Sequence, residues 1–175
     1  MTILLLTGPL ASGKTTVAAA LASRDVDPLA VIELDTLRQM VVRPHLAPWD
    51  GEEGRRQQLL GIRNACALAR TFDQAEFDVL LVDQITDDIA ARYRDELALT
   101  IVRLLSNWEQ TMICFQSRDE PLGFRELDLR CVQQQALETV AITIDNPRLL
   151  PTSSPTASNT CLAARYSRPN SRSHR

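Results

Sequence analysis

The sequence predicts an α/β protein with three layers, α/β/α, around a five-stranded, mainly parallel sheet. Apolar runs recur at Ile3–Leu6, Ala30–Leu34, Phe77–Val82, Leu99–Leu105 and Thr139–Ile144. Their apolarity is continuous rather than alternating, which marks strands covered on both faces by crossover helices. Between them lie segments of helical period, so strand and helix alternate along the chain.

The first run follows Met1-Thr without a basic leader and flows into a glycine loop, so it reads as a strand and no signal peptide is expected. Gly13–Ser23 is Ala-rich and reads as the first helix. The second run, Ala30–Leu34, is followed by a long helix over Glu53–Thr71, where Leu59, Ile62, Cys66 and Ala69 fall on one stripe. Glu33, inside that run, reads as solvated at a sheet edge or paired. After the third run comes Asp87–Leu97, whose Asp87 and Asp88 suit the positive end of a helix. Trp108–Gln116 and Phe124–Leu137 are further helix candidates before the fifth run. Residues 1–147 therefore form one domain, and the Ser/Pro/Arg-rich stretch 148–175 is expected to be a disordered tail.

Composition excludes several classes. No apolar run reaches the 18 or so residues of a membrane helix. Four scattered cysteines without a C-x-x-C pair, and only two histidines, argue against a zinc site; free thiols in a cytoplasmic setting are expected. Up to Asp145 the chain carries 14 basic and 22 acidic residues, a net charge of −8, and the tail carries +5. An acidic body lacks the cations that nonspecific nucleic-acid binding requires, so nucleic acid is not an expected partner, although the tail can attract anions.

The chemistry begins at Gly8-Pro-Leu-Ala-Ser-Gly13-Lys14-Thr15-Thr16, which fits G-x-x-x-x-G-K-[ST] directly after a strand and at the start of a helix. Glycines let the backbone curl so that the N–H groups of Ala11, Ser12, Gly13 and the residues after them converge, and the helix adds its positive dipole end. Lys14 would place a point charge on the β and γ phosphates of ATP, and the Thr15 hydroxyl would take a Mg²⁺ position, with Thr16 beside it. The chain has 18 arginines and a single lysine, and that lysine is Lys14. A compact ammonium in a closed phosphate loop is not replaceable by a planar guanidinium.

Ligands of open parallel sheets sit beyond the carboxyl ends of the strands. Asp35 closes the second run and Asp83 the third. The third strand should lie beside the first, which would put Asp83 near the phosphate loop as a metal ligand. Asp35 would face the acceptor and orient or deprotonate its hydroxyl, or else cap the helix beginning at Thr36. Arg38, one turn on, would pair with an anion or steady the acceptor. The stretch from Val41 to Arg56, with His45 and Trp49, would line the acceptor pocket. Gln116–Gly123 reads as a mobile loop, and Arg118, with Arg125 as a second candidate, would close over ATP and neutralise charge on the transferred group.

In this order, strand, phosphate loop, Asp35-Thr-Leu-Arg38, Asp83 and a loop after the fourth strand resemble a small P-loop kinase of the nucleoside-kinase-like, adenylate- and shikimate-kinase type. The Asp-x-x-Arg is most similar to chloramphenicol phosphotransferase, polynucleotide 5′-hydroxyl kinases and zeta-toxin-like kinases. The resemblance implies that Asp35 activates the acceptor, Lys14 and Thr15 bind ATP and Mg²⁺, and Arg118 grips phosphate. The expected activity is transfer of the γ-phosphoryl group of ATP to a small-molecule hydroxyl. Two alternatives are a nucleotide-binding module without transfer and, with less support, a nucleic-acid 5′-hydroxyl kinase.

Overall fold

A computed structural model describes residues 1–24, 27–106, 111, 112, 116 and 124–145. Five strands, β1 (Ile3–Thr7), β2 (Leu29–Glu33), β3 (Asp78–Val82), β4 (Thr100–Leu105) and β5 (Ile142–Asp145), form one sheet in the order β2-β3-β1-β4-β5. Every pairing is parallel. Among the described residues these helices connect or flank them: α1 (Lys14–Ala22), α2 (Leu34–Gln39), α3 (Gly51–Gln74), α4 (Asp87–Glu96) and α5 (Phe124–Gln135). The expected α/β fold with β3 beside β1 is what forms. The Trp108–Gln116 helix, the Gln116–Gly123 loop and the tail lie largely or wholly outside the described residues.

The strand order dictates how the layers fill. Right-handed crossovers that move in opposite directions along a parallel sheet pass over opposite faces. The step from β1 to β2 runs one way and carries α1. The steps from β2 to β3, β3 to β4 and β4 to β5 run the other way and carry the remaining helices. The larger core accordingly joins Leu5, Leu81 and Ile101 to Ile62, Cys66 and Ala69 of α3 and to Ile89 and Tyr93 of α4. The smaller core packs Ala18 of α1 on Leu6, Leu80, Val82, Val102 and Leu104. At the β5 edge, Ile142 and Ile144 pair with Val102 and Leu104 yet remain about half exposed.

One boundary differs from the sequence reading. β2 ends at Glu33, and Leu34 already belongs to α2, its side chain buried in the larger core. Asp35 therefore stands in the first turn of a helix that Glu33 caps; it neither closes the strand nor takes the cap position. The apolar Leu34 extends the run in sequence, but it is buried by helix packing rather than by the sheet.

Two polar devices fix α5 to the carboxyl side of the sheet. Arg103 of β4 donates Nη1 to the carbonyls of Gln134, Gln135 and Leu137, at 2.9, 2.9 and 3.2 Å, closing the helix end. Beneath it, buried Thr7 donates Oγ1 to Gln134 Oε1 at 3.0 Å and accepts the Ile85 amide at 3.3 Å. Gln134 Nε2 returns to the Ile85 carbonyl. Every polar group of this buried triangle is satisfied, which links β1, α5 and the segment after β3. At the start of α4, Asp87 accepts the amides of Glu138 and Thr139 at 3.2 Å each, and Asp88 pairs with Arg55 at 2.8 Å. Both first-turn acids thus hold neighbouring segments as well as matching the helix dipole. Among the described residues no helix is long and apolar enough to cross a membrane.

Candidate active site

The loop after β1 is shaped by steric necessity. A Cβ on Gly8 would stand 2.2 Å from the Leu104 carbonyl oxygen, so only glycine lets the chain leave β1 against β4. Ala11 takes a left-handed backbone (φ 61°), as does Gly13 (φ 91°), which caps α1. Non-glycine residues in this region are uncommon and concentrate at functional sites. The curl places the first amides of α1 at the carboxyl edge of the sheet, where an anion is favoured. Lys14 bends back over the loop and donates Nζ to the Gly8 and Pro9 carbonyls, both at 2.9 Å. Ser12 Oγ is fully buried with no hydrogen-bond partner. An orphaned hydroxyl costs about 1–3 kcal/mol; its presence fits a loop that is completed by an anionic ligand.

Facing this loop across one cleft are three carboxylates. Asp83 follows β3, its backbone amide tied to the Leu6 carbonyl at 3.2 Å, which seats it next to the phosphate loop. Asp35 comes from α2, and Glu33 from the end of β2. Gln84 completes the wall beside Asp83, and Lys14, Thr15 and Thr16 form the side opposite. The structure thus brings Lys14, Thr15, Asp35 and Asp83 to a single cleft. A larger hollow opens at the other, amino end of the strands, between Leu4, Leu21, Arg24, Leu29 and Asp78. It holds no phosphate loop and borders residues 25–26, outside the described set.

Burial pushes the Asp83 carboxyl up to about 7, with nearby Asp35 adding to the rise. The Tyr93 hydroxyl, which donates to Asp83 Oδ2 at 3.0 Å, the Gln84 backbone and Lys14 oppose it. Tyr93 is itself fully buried on α4, and it fixes which way Asp83 points. Because the folded protein holds this proton more tightly than the unfolded chain, the contribution to stability is complete below about pH 4 and is lost as pH rises through 7. In metal-free protein, Asp83→Asn should remove that loss. The variant should gain on the order of a few kcal/mol relative to wild type between pH 4 and 8, read from paired melting curves.

A divalent ion here would draw on Thr15 Oγ1, the Asp83 carboxylate and the nucleotide's own oxygens, the donor chemistry that suits Mg²⁺. Among the described residues no group of three or more His, Cys, Asp or Glu side chains is arranged to hold a metal.

Other sequence candidates are placed differently. The Asp35 carboxylate is 84% exposed and, among the described residues, meets only Arg38, at 3.5 Å. Arg38 is 14% exposed: its Nη1 reaches the Asp35 carboxylate at 3.5 Å, its Nη2 donates to the Leu46 carbonyl at 3.2 Å, and its buried Nε has no partner among the described residues. It thereby ties α2 to the chain that leads to α3. Arg118 and the Arg125 side chain lie outside the described residues. Cys66 and Cys131 are free and buried, and burial pushes the Cys66 thiol up to about 11.

Sequence reading missed three features in and around the cleft. Glu33 lines the cleft although it looked like a solvated edge residue; β2 is indeed an edge strand, but its last side chain faces the site. Gln57, 5% exposed, has no motif to announce it. Arg130 of α5 stacks its guanidinium over the Trp49 ring at 4.4 Å and donates to Gln84 at 3.5 Å. Only a fold that brings α5 over the cleft reveals that pairing.

No protein-family model and no curated protein sequence matches the chain. Its fold is nevertheless shared with solved structures. A sugar kinase from Janibacter sp. HTCC2649 superposes with a TM-score of 0.61 at 15% identity, over 84% of this chain and 85% of that one. The tunicamycin resistance protein of Deinococcus radiodurans gives 0.61 at 17% identity, over 82% and 85%. Shikimate kinase from Acinetobacter baumannii, in complex with shikimate, gives 0.58 at 18%, over 85% of each chain. The chain has the three-layer fold of small P-loop kinases.

Proposed function

We propose that this chain is an ATP-dependent kinase that phosphorylates a hydroxyl of a small molecule. The observation that carries the reading is the single cleft in which the Lys14 loop faces Asp35 and Asp83. In the proposed step the acceptor oxygen forms a bond to the γ phosphorus as the bond to the β–γ bridging oxygen breaks. ADP leaves, and the acceptor proton passes to the Asp35 carboxylate. Lys14 and the amides at the start of α1 would hold the phosphates, and Ser12 Oγ would gain the partner it lacks. Mg²⁺ bound by Thr15 and Asp83 would supply charge neutralisation on the phosphates. Nucleotide and acceptor are the partners this implies, at a location taken to be cytoplasmic.

A second reading, a nucleotide-binding module without transfer, draws on the exposure of Asp35 and on the engagement of Arg38 with Asp35 and the Leu46 carbonyl. Incubation with γ-labelled ATP, Mg²⁺ and a panel of alcohols separates the two. Label on an acceptor is the expected result; labelled phosphate released only to water, or none, overturns the kinase reading.

A further inference from the structure

The connection from α2 to α3 is built to hold still. Gln57 donates Nε2 to the Pro44 carbonyl at 2.8 Å and accepts the Leu46 amide at 3.1 Å, and Arg38 takes the Leu46 carbonyl. Ala47 and Asp50 exchange two bonds, at 2.8 and 2.9 Å. Gly54 of α3 lets this turn approach, since a Cβ there would stand 2.0 Å from the Ala47 oxygen. What this fixed segment presents is Trp49, 57% exposed, the one aromatic among the exposed large apolar side chains of the described residues. An immobilised aromatic left in water is an unusual use of apolar area unless something packs on it.

Trp49 is also tied to the cleft. Arg130 lies 4.4 Å over its ring and reaches Gln84, the residue after Asp83 and part of the cleft wall. Gln84, Arg130 and Trp49 therefore form a continuous bridge from the carboxylates to the α2–α3 connection. An alcohol whose hydroxyl meets Asp35 and whose body extends past Gln84 and Arg130 would reach the indole. The carboxylates of Glu33, Asp35 and Asp83 suit hydroxyl and cationic groups, and the indole is the flat apolar surface joined to them.

Resting on the kinase reading, we infer that Trp49 selects the acceptor, an alcohol carrying an aromatic or other flat unsaturated group that packs on the indole beside Arg130. Stacking of this kind acts on binding of the acceptor, so discrimination resides in KM rather than in kcat.

The test compares 2-phenylethanol and benzyl alcohol with glycerol and D-ribose, using wild type, Trp49→Ala and Trp49→Phe. The aromatic alcohols should be preferred in kcat/KM. Trp49→Ala should raise their KM about tenfold, and Trp49→Phe should restore most of the preference. Equal use of polyols and aromatic alcohols, or a preference that survives Trp49→Ala, overturns the inference while the kinase reading stands. If wild type binds Mg²⁺·ATP but labels no alcohol, the kinase reading fails. Calorimetric titration of 2-phenylethanol into the complex with Mg²⁺ and a non-hydrolysable ATP analogue then decides the inference: binding that Trp49→Ala weakens supports it, and no binding or unchanged binding overturns it.

Discussion

Lys14→Ala is expected to weaken Mg²⁺·ATP binding by about a hundredfold or more, because two charge-assisted hydrogen bonds at about 1.5–3 kcal/mol each are lost and each 1.4 kcal/mol is a tenfold change. In the structure the ammonium donates to the Gly8 and Pro9 carbonyls. Those donors are the ones that would turn to phosphate, so the loop already positions the charge and no long-range rearrangement is needed. Removing them leaves two carbonyls short of a donor, and the melting temperature should fall by only a few degrees. Calorimetric titration beside a melting curve separates lost binding from lost folding. A folded variant that retains tight ATP binding would sink the premise common to both functional readings. Arginine at position 14 should fail as well, since a planar fork cannot occupy the place of a compact ammonium under the loop.

Turnover should fall about a hundredfold or more in Asp35→Asn, the usual contribution of a positioned general base, with KM for ATP little changed. The side chain is 84% exposed and, among the described residues, meets only Arg38, so its removal has little to destabilise. A second consequence is electrostatic. The charge of Asp35 helps to raise the Asp83 carboxyl, so its neutralisation should shift the metal-free melting profile of Asp83 to lower pH. Steady-state kinetics on the labelled acceptor reads the first effect, and melting curves across pH read the second. Unchanged turnover with intact folding would favour a nucleotide-binding module over a kinase.

The sheet was legible because its central strands are buried on two sides and read as unbroken apolar runs; four of the five runs begin and end within one residue of the observed strands, and the β5 run starts three residues early at Thr139. The phosphate loop was legible because its geometry demands particular residues at fixed spacing. Leu34 was misread for the opposite reason: a buried leucine extends an apolar run equally well in a strand or in the helix after it. Gln57, Gln134 and Arg103 could not be foreseen, because each satisfies backbone groups 10 or more residues away and carries no local pattern. Glu33 shows that period alone does not say which side of a strand end overlooks a cleft. The pairing of Trp49 with Arg130 is farther still from view, joining segments whose proximity depends on the β4-to-β5 crossover.

The uneven layering also implies an order of failure. β1, β3 and β4 lie between two cores, so their amides should exchange with solvent only when the whole domain opens. β5 has four exposed residues and, among the described residues, a single neighbouring strand, and the Arg103 that holds its Thr143 also closes α5. Transient detachment of that edge would release the end of α5 at the same moment. The Trp49 bridge would then loosen while the phosphate loop stayed formed, so local fraying at one border of the sheet would reach the acceptor side of the cleft before it reached the nucleotide side.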